Sequence, residues 1–243
     1  MPYKEESVLV LVKATPNWSR EYKKYLNCTA GINEGGEWRR LYPMPQEAIY
    51  REKIRVWDKI KLELTEPDKD PRPESRKVKV ESIKNLGCAL KTREERRKFI
   101  EEHEDSSLDI PNKEKRTMAL IKPLIVDFEI EKRKEEVNQA TLYGGIFKQR
   151  PYGDVGLYYR FKCWPPCKVC SKRPHKMECF DWGANVLYRR YDDERVAREK
   201  VRDMCYVKMK SVYDTWFALG THSNYPFSKW LLVGLLWMTR KED

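Results

Sequence analysis

Apolar and polar residues alternate along much of this chain with the two-residue period of a strand, and few segments show helical spacing. Residues 7–13 (Ser-Val-Leu-Val-Leu-Val-Lys) form a continuous, β-branched apolar run that predicts a buried strand. Residues 25–32 and 37–42 flank Asn33-Glu34-Gly35-Gly36, whose glycines suit the positive φ of a hairpin turn. Residues 46–54 read as a short helix opened by Pro45. In residues 56–64, Ile60, Leu62 and Leu64 share one face while Lys59, Lys61 and Glu63 share the other, a half-exposed strand. Pro67, Pro71 and Pro73 force a loop over residues 67–75, and strand alternation returns at residues 77–83.

Thr92 and Glu95 have the spacing of a capping box and open a polar helix that reaches about His103. Residues 104–116 read as a mobile connection. Short β-like runs follow at 118–121 and 124–130 on either side of Pro123, and residues 131–136 read as a solvated loop or strand end. Residues 141–163, aromatic, apolar and interrupted by glycines, predict another strand pair. Asp192 or Asp193 can cap a helix over residues 192–210 that carries Ala197, Val201, Met204, Cys205 and Lys208 on one face. Residues 215–219 and 230–238 close the chain as apolar strands. The sum is a β-rich α+β protein of many short strands, which favours small barrels or a sandwich over a parallel-sheet enzyme. Two units are expected, residues 1–116 and 117–243, the second with a Cys-rich insertion at 163–182 and the helix at 192–210.

Composition narrows the function classes. A 243-residue chain with 40% hydrophobic residues can bury a core, which excludes a mainly disordered protein. The longest apolar run, residues 230–238, is about half of what a membrane-crossing helix needs. The first residues lack the long apolar region of a secretion signal, so a cytoplasmic protein with no membrane partner is expected. The net charge is +11, and residues 146–179 hold eight basic against two acidic side chains. A basic surface concentrates polyanions by releasing their counterions, so nucleic acid is the expected partner.

Seven cysteines, four of them clustered (Cys163, Cys167, Cys170, Cys179), favour a metal over a disulfide framework. Cys167 and Cys170, two residues apart, have the spacing of a zinc knuckle, and Cys163 enters from the preceding strand. The fourth ligand is His175 or Cys179. We favour His175, because Cys179 sits in Met177-Glu178-Cys179-Phe180, which reads as the start of an apolar strand. Zinc is the expected cofactor and an iron–sulfur cluster the alternative. The spacing also matches the cluster loop of radical S-adenosylmethionine enzymes, but the chain lacks the repeated βα units of that fold.

Several segments resemble the proteins described as dual OB-containing: the strand ending in Lys13, Cys28-Thr29-Ala30-Gly31-Ile32, Trp38-Arg39-Arg40-Leu41-Tyr42-Pro43, Arg72-Pro73-Glu74-Ser75, Ile121-Lys122-Pro123 and Tyr158-Tyr159-Arg160-Phe161-Lys162-Cys163. The resemblance implies two small OB-like β-barrels with a metal-binding loop and a nucleic-acid role. OB barrels bind single strands through a basic groove and stacked aromatics. The expected contact residues are Lys148, Arg150, Tyr158, Arg160, Lys162, Trp164 and Lys168, with Arg39, Arg40 and Tyr42 as a smaller second patch. On a strand, Tyr158, Arg160 and Lys162 face one way and Tyr159 and Phe161 the other, so one face binds and the other is core. The alternative function is an enzyme acting on nucleic acid, a metal-dependent nuclease or a base-excision DNA glycosylase, with Asp181 and His222 as its acid–base pair. A third reading is a protein-interaction module whose charge serves solubility.

Overall fold

The computed structural model describes residues 2–19, 21–132 and 155–240. In chain order the elements of its first half are β1 (Lys4–Lys13), a small hairpin of β2 (Asn17–Ser19) and β3 (Lys24–Leu26), β4 (Thr29–Asn33), β5 (Trp38–Tyr42), α1 (Gln46–Arg51), β6 (Asp58–Thr65), β7 (Ser75–Val78), β8 (Lys84–Cys88) and α2 (Arg93–His103). The second half holds α3 (Asp109–Lys113), β9 (Met118–Ile121), β10 (Pro123–Lys132), β11 (Val155–Cys163), β12 (His175–Glu178), α4 (Trp182–Arg189), α5 (Glu194–Arg202), β13 (Tyr213–His222) and β14 (Tyr225–Thr239).

The first half is a closed five-stranded barrel in the order β1-β4-β5-β7-β6, with β6 returning to β1 and β8 attached outside β6. Every pairing is antiparallel except β5 with β7. β1 serves two neighbours because a bulge between Val10 and Val12 bends it: its first half pairs with β6 and its second with β4. Val8 and Val10 point into the barrel with Leu41, Ile60, Leu62 and Leu64. Leu9 and Leu11 face outward into a second core. Both faces are covered, which is why the sequence of β1 shows no alternation. β6 has one covered face and alternates as its pattern predicts. Gly36 closes the β4–β5 turn at φ 77°.

In the second half β10-β11-β12 form one sheet and β14-β13-β9 another. Lys122 alone separates β9 from β10, so one kinked strand belongs to both sheets. The opposite edges meet where Cys179, just past β12, forms a parallel bridge to Leu232 of β14, with Phe180 N donating to Leu232 O at 2.7 Å. Phe128, Tyr159, Phe161, Phe217, Leu219 and Leu232 fill the space between the sheets. The two halves share the outward core of β1: Leu9, Leu11, Trp38 and Trp57 pack with Met118, Leu120, Trp216 and Leu236. Burial of this size, at about 1.5–3 kcal/mol per large apolar side chain, makes each half part of the other's stability.

Three local expectations are corrected. The strand at 77–83 stops at Val78, because β7 has only a short edge to pair with, and a 3-10 turn over Val80–Ser82 redirects the chain. Residues 104–116 are ordered rather than mobile: α3 lies within them, Leu108 and Pro111 are buried, and Asp105 pairs with Arg116. The segment at 192–210 is capped by Asp193 as predicted but continues from α5 through a π-helical turn over Asp203–Lys208. A further helix, α4, precedes it where no helix was expected. Thr92 and Glu95 form the predicted capping box, and α1 starts directly after Pro45. Residues 141–154 of the predicted strand pair lie outside the described residues.

Candidate functional site

β11 delivers Cys163 at its last residue, the following loop carries Cys167 and Cys170, and β12 begins with His175. The ligand atoms of these four side chains all lie within 4.8 Å of one another. His175 Nε2 is 3.2 Å from Cys167 Sγ and 3.8 Å from Cys163 Sγ, and the Cys167 and Cys170 sulfurs are 3.3 Å apart. Backbone N–H groups of Cys163 and Cys167 donate to Cys170 Sγ at 3.3 and 3.1 Å, and that of Cys170 donates to Cys167 Sγ at 3.4 Å. These bonds turn the sulfurs inward. Lys168 N donates to Asp109 Oδ2 at 2.9 Å, which moors the loop to α3. Burial pushes the Cys163 thiol up to about 12, pushes that of Cys167 up as well, and lowers His175. Buried thiols this reluctant to ionise are the groups a bound cation converts to thiolates. Cys179 is elsewhere, in the core of the second half with its N–H on Leu157 O. The cluster is therefore Cys163, Cys167, Cys170 and His175, a group of side chains that could hold a metal ion.

Next to it, β11 has the predicted two-faced character. Tyr159 and Phe161 are in the core, and Tyr158, Arg160 and Lys162 share the outer face. That face is not simply basic. Glu129 of β10 accepts from Arg160 and from Lys176, the latter at 2.8 Å, and Glu131 accepts from Lys176 at 2.5 Å. Arg160 and then Lys176 hold the Glu129 carboxyl at about 2. Lys176 also lies over the Tyr158 ring, 5.1 Å from its centroid. Trp164 and Lys168 are exposed on the metal loop. Lys148 and Arg150 lie outside the described residues.

Arg39 and Arg40, expected on a surface patch with Tyr42, are both buried. Arg39 pairs with Glu6 at 2.8 Å and Glu37 at 2.5 Å. Arg40 turns the other way, toward the second half, where its Nη2 donates to Thr117 O at 3.1 Å and its Nη1 reaches Cys28 Sγ at 3.5 Å. A Cβ at position 220 would sit 3.1 Å from that guanidinium, so Gly220 leaves room for it. Tyr42 is exposed, as expected.

Arg40 and Tyr42 border a pocket of about 360 Å³ between the β2–β3 hairpin, the end of β5, the loop at 66–74 and the β13–β14 turn. Arg72 of that loop enters its wall, pairing with Asp70 and donating from Nη1 to Thr221 O at 2.8 Å. His222 lies beside it; burial lowers its basicity, and Lys229 and Arg72 lower it further. Asp181 does not pair with His222. Its carboxylate caps α4 by accepting from Ala184 N at 2.9 Å and accepts from Leu235 N at 3.2 Å. The contacts that brought Arg40, Arg72 and Thr221 together were not legible beforehand; Trp18 and Tyr42 at the rim are strand residues with exposed rings.

Residues 4–102 match the family model of a domain of unknown function (DUF8758), and residues 103–243 match that of another (DUF8757). The boundary falls at the end of α2. No curated protein and no solved structure matches the chain. Among the described residues, no helix is long and apolar enough to cross a membrane.

Proposed function

We propose that the chain, which belongs to the DUF8757 family, binds single-stranded nucleic acid with two OB-like barrels stiffened by a structural zinc. The OB reading draws on strand order. Numbered along the chain, the five barrel strands of the first half run 1-2-3-5-4-1 with the third and fifth parallel, and α1 lies between the third and fourth. With β9 and β10 taken as one strand, the second half has the same order, its third and fifth strands meeting at the parallel Cys179–Leu232 bridge. OB barrels bind ligands on the face of their second and third strands and on the loops joining the first to the second and the fourth to the fifth.

In the first half those loops are the β2–β3 hairpin and residues 66–74. The observation that carries the reading is the ring cluster there: Trp18 against Tyr25 at 5.2 Å and Tyr22 against Tyr42 at 5.7 Å, with Lys23 and Lys24 exposed beside them. Trp18 and Tyr42 are exposed and Tyr22 and Tyr25 half-buried, and rings beside Lys23 and Lys24, with only Glu21 acidic in the hairpin, suit base stacking at about 1–3 kcal/mol per base. The β11 face is a weaker platform, because Glu129 and Glu131 repel phosphates beside Arg160 and Lys176.

Zinc suits the donor set of three sulfurs and one imidazole, and the 3.2–3.8 Å separations fit ligands placed about 2.0–2.3 Å from a tetrahedral ion. Four protein ligands complete that geometry, so the ion would fix the loop rather than activate water. The test is fluorescence anisotropy of a labelled oligonucleotide over a salt series. Affinity for single strands should fall steeply with salt and drop when Trp18 and Tyr42 are both changed to Ala. A flat salt response, or an unaffected double variant, rejects the reading.

A further inference from the structure

We propose that the pocket between the two halves is a phosphate-monoester site for one nucleoside monophosphate unit, free or at the end of a strand, with its phosphate toward Arg40, Arg72 and Thr221 and its base toward Trp18 and Tyr42. The proposal shares its aromatic rim with the strand-binding reading but rests on the cationic floor.

That floor is unusual in its charge balance. Arg40 is 3% exposed, yet among the described residues no carboxylate lies within ion-pairing distance of it; its partners are a thiol and a carbonyl, and its Nε has none. The buried Glu74 carboxylate acts on Arg40 from beyond pairing distance, so the charge is only partly compensated, and an anion at the pocket floor offsets the remaining cost. Thr221, 2% exposed in the same wall, has a hydroxyl without a partner. Arg72 brings a second guanidinium through its Thr221 O contact; Asp70 holds its Nε and Nη2 edge but is not among the side chains that line the pocket.

The rim differs from the floor. Trp18 and Tyr42 are each 41% exposed, rings open to a planar group at the mouth. A cationic, hydroxyl-bearing floor under an aromatic rim matches a phosphate joined to a base. The volume of about 360 Å³ is at the small end of ligand pockets and suits one nucleotide unit.

The full chain is titrated calorimetrically with adenosine monophosphate, adenosine, inorganic phosphate, a terminally phosphorylated oligonucleotide and its unphosphorylated twin. The monophosphate is expected to bind at least about tenfold more tightly than adenosine, and Arg72→Gln to lose about tenfold, the scale of one charge-assisted contact. Thr221→Val replaces an unpartnered hydroxyl, so it should fold as wild type does and still bind more weakly. In the unmodified chain, bound nucleotide should protect the half-buried Cys28 in the pocket wall from alkylation while exposed Cys88 keeps reacting. Tighter binding of the monophosphate than of the phosphorylated strand identifies a free nucleotide. Binding of the phosphorylated strand alone identifies a strand end. Mononucleotide binding without strand binding keeps this site and removes the strand reading. Equal affinity for the two oligonucleotides with no mononucleotide binding keeps the strand reading and overturns the site. Adenosine binding as well as its monophosphate, or no binding with Cys28 unprotected, also overturns it.

Discussion

The Asp181 side chain joins α4 to β14, and its removal should be costly in a calculable way. One carboxylate oxygen caps α4 through Ala184 N, and the other accepts from the amide of Leu235, a buried β14 residue. Losing the cap costs about 1 kcal/mol. Leaving a buried amide unpaired costs about 1–3 kcal/mol more. Asp181→Ala should therefore lose about 2–4 kcal/mol, which for a chain of this size lowers Tm by about 4–16 °C. Burial raises the Asp181 carboxyl above its ordinary value, with the Ala184 and Leu235 amides opposing that shift. A raised folded-state value favours the protonated form, so this group's contribution is complete below the unfolded carboxyl value of about 4 and declines as pH rises through the folded one. Asp181→Asn cannot titrate, so its deficit against wild type should be largest in acid and shrink toward neutral pH. Urea unfolding of the three proteins across that pH range is the assay. An Asp181→Ala midpoint equal to wild type refutes the assignment of Asp181 as a structural cap, and an Asn deficit that grows toward neutral pH refutes the raised carboxyl.

Other consequences follow from neighbouring contacts. Exhaustive chelation should release about one zinc per chain by elemental analysis and lower Tm, because the loop then loses the cross-link joining Cys163, Cys167, Cys170 and His175; a chelated chain of unchanged Tm removes the structural role. Glu129→Gln should strengthen salt-dependent oligonucleotide binding by freeing Arg160 and Lys176, with little change in stability since the pairs are solvated; unchanged binding shows that this face takes no part. The Glu129 carboxyl is held at about 2, so its small stabilising effect should be present above its usual carboxyl range and fade as pH falls toward that value, as acid titration of wild type against Glu129→Gln would show. Gly220→Val should displace the Arg40 guanidinium and destabilise the chain, whereas thermal unfolding unchanged from wild type would mean Arg40 has room to move.

Strands with one buried face were legible because burial imposes a period of two: Ile60, Leu62 and Leu64 of β6 and the Val155–Cys163 strand both followed it. The capping box at Thr92 and the cysteine spacing were legible because their partners are a few residues apart. Arg39 and Arg40 misled because two arginines beside Trp38 and Tyr42 look like a surface patch, while the barrel buries both against Glu6 and Thr117, partners distant in the chain. The charge of the β11 face was overestimated for the same reason, since Glu129 and Glu131 belong to β10. α4 was hidden behind an apolar segment that reads equally well as a strand, and only the Asp181 cap distinguishes them.

Photo-crosslinking an oligonucleotide that carries halogenated bases, followed by mass-spectrometric mapping, tests the central claim most directly. The account predicts adducts on Trp18 and Tyr42, at the mouth of the pocket above Arg40 and Arg72. Adducts confined to Tyr158 and Trp164, with none on the β2–β3 hairpin, would contradict it.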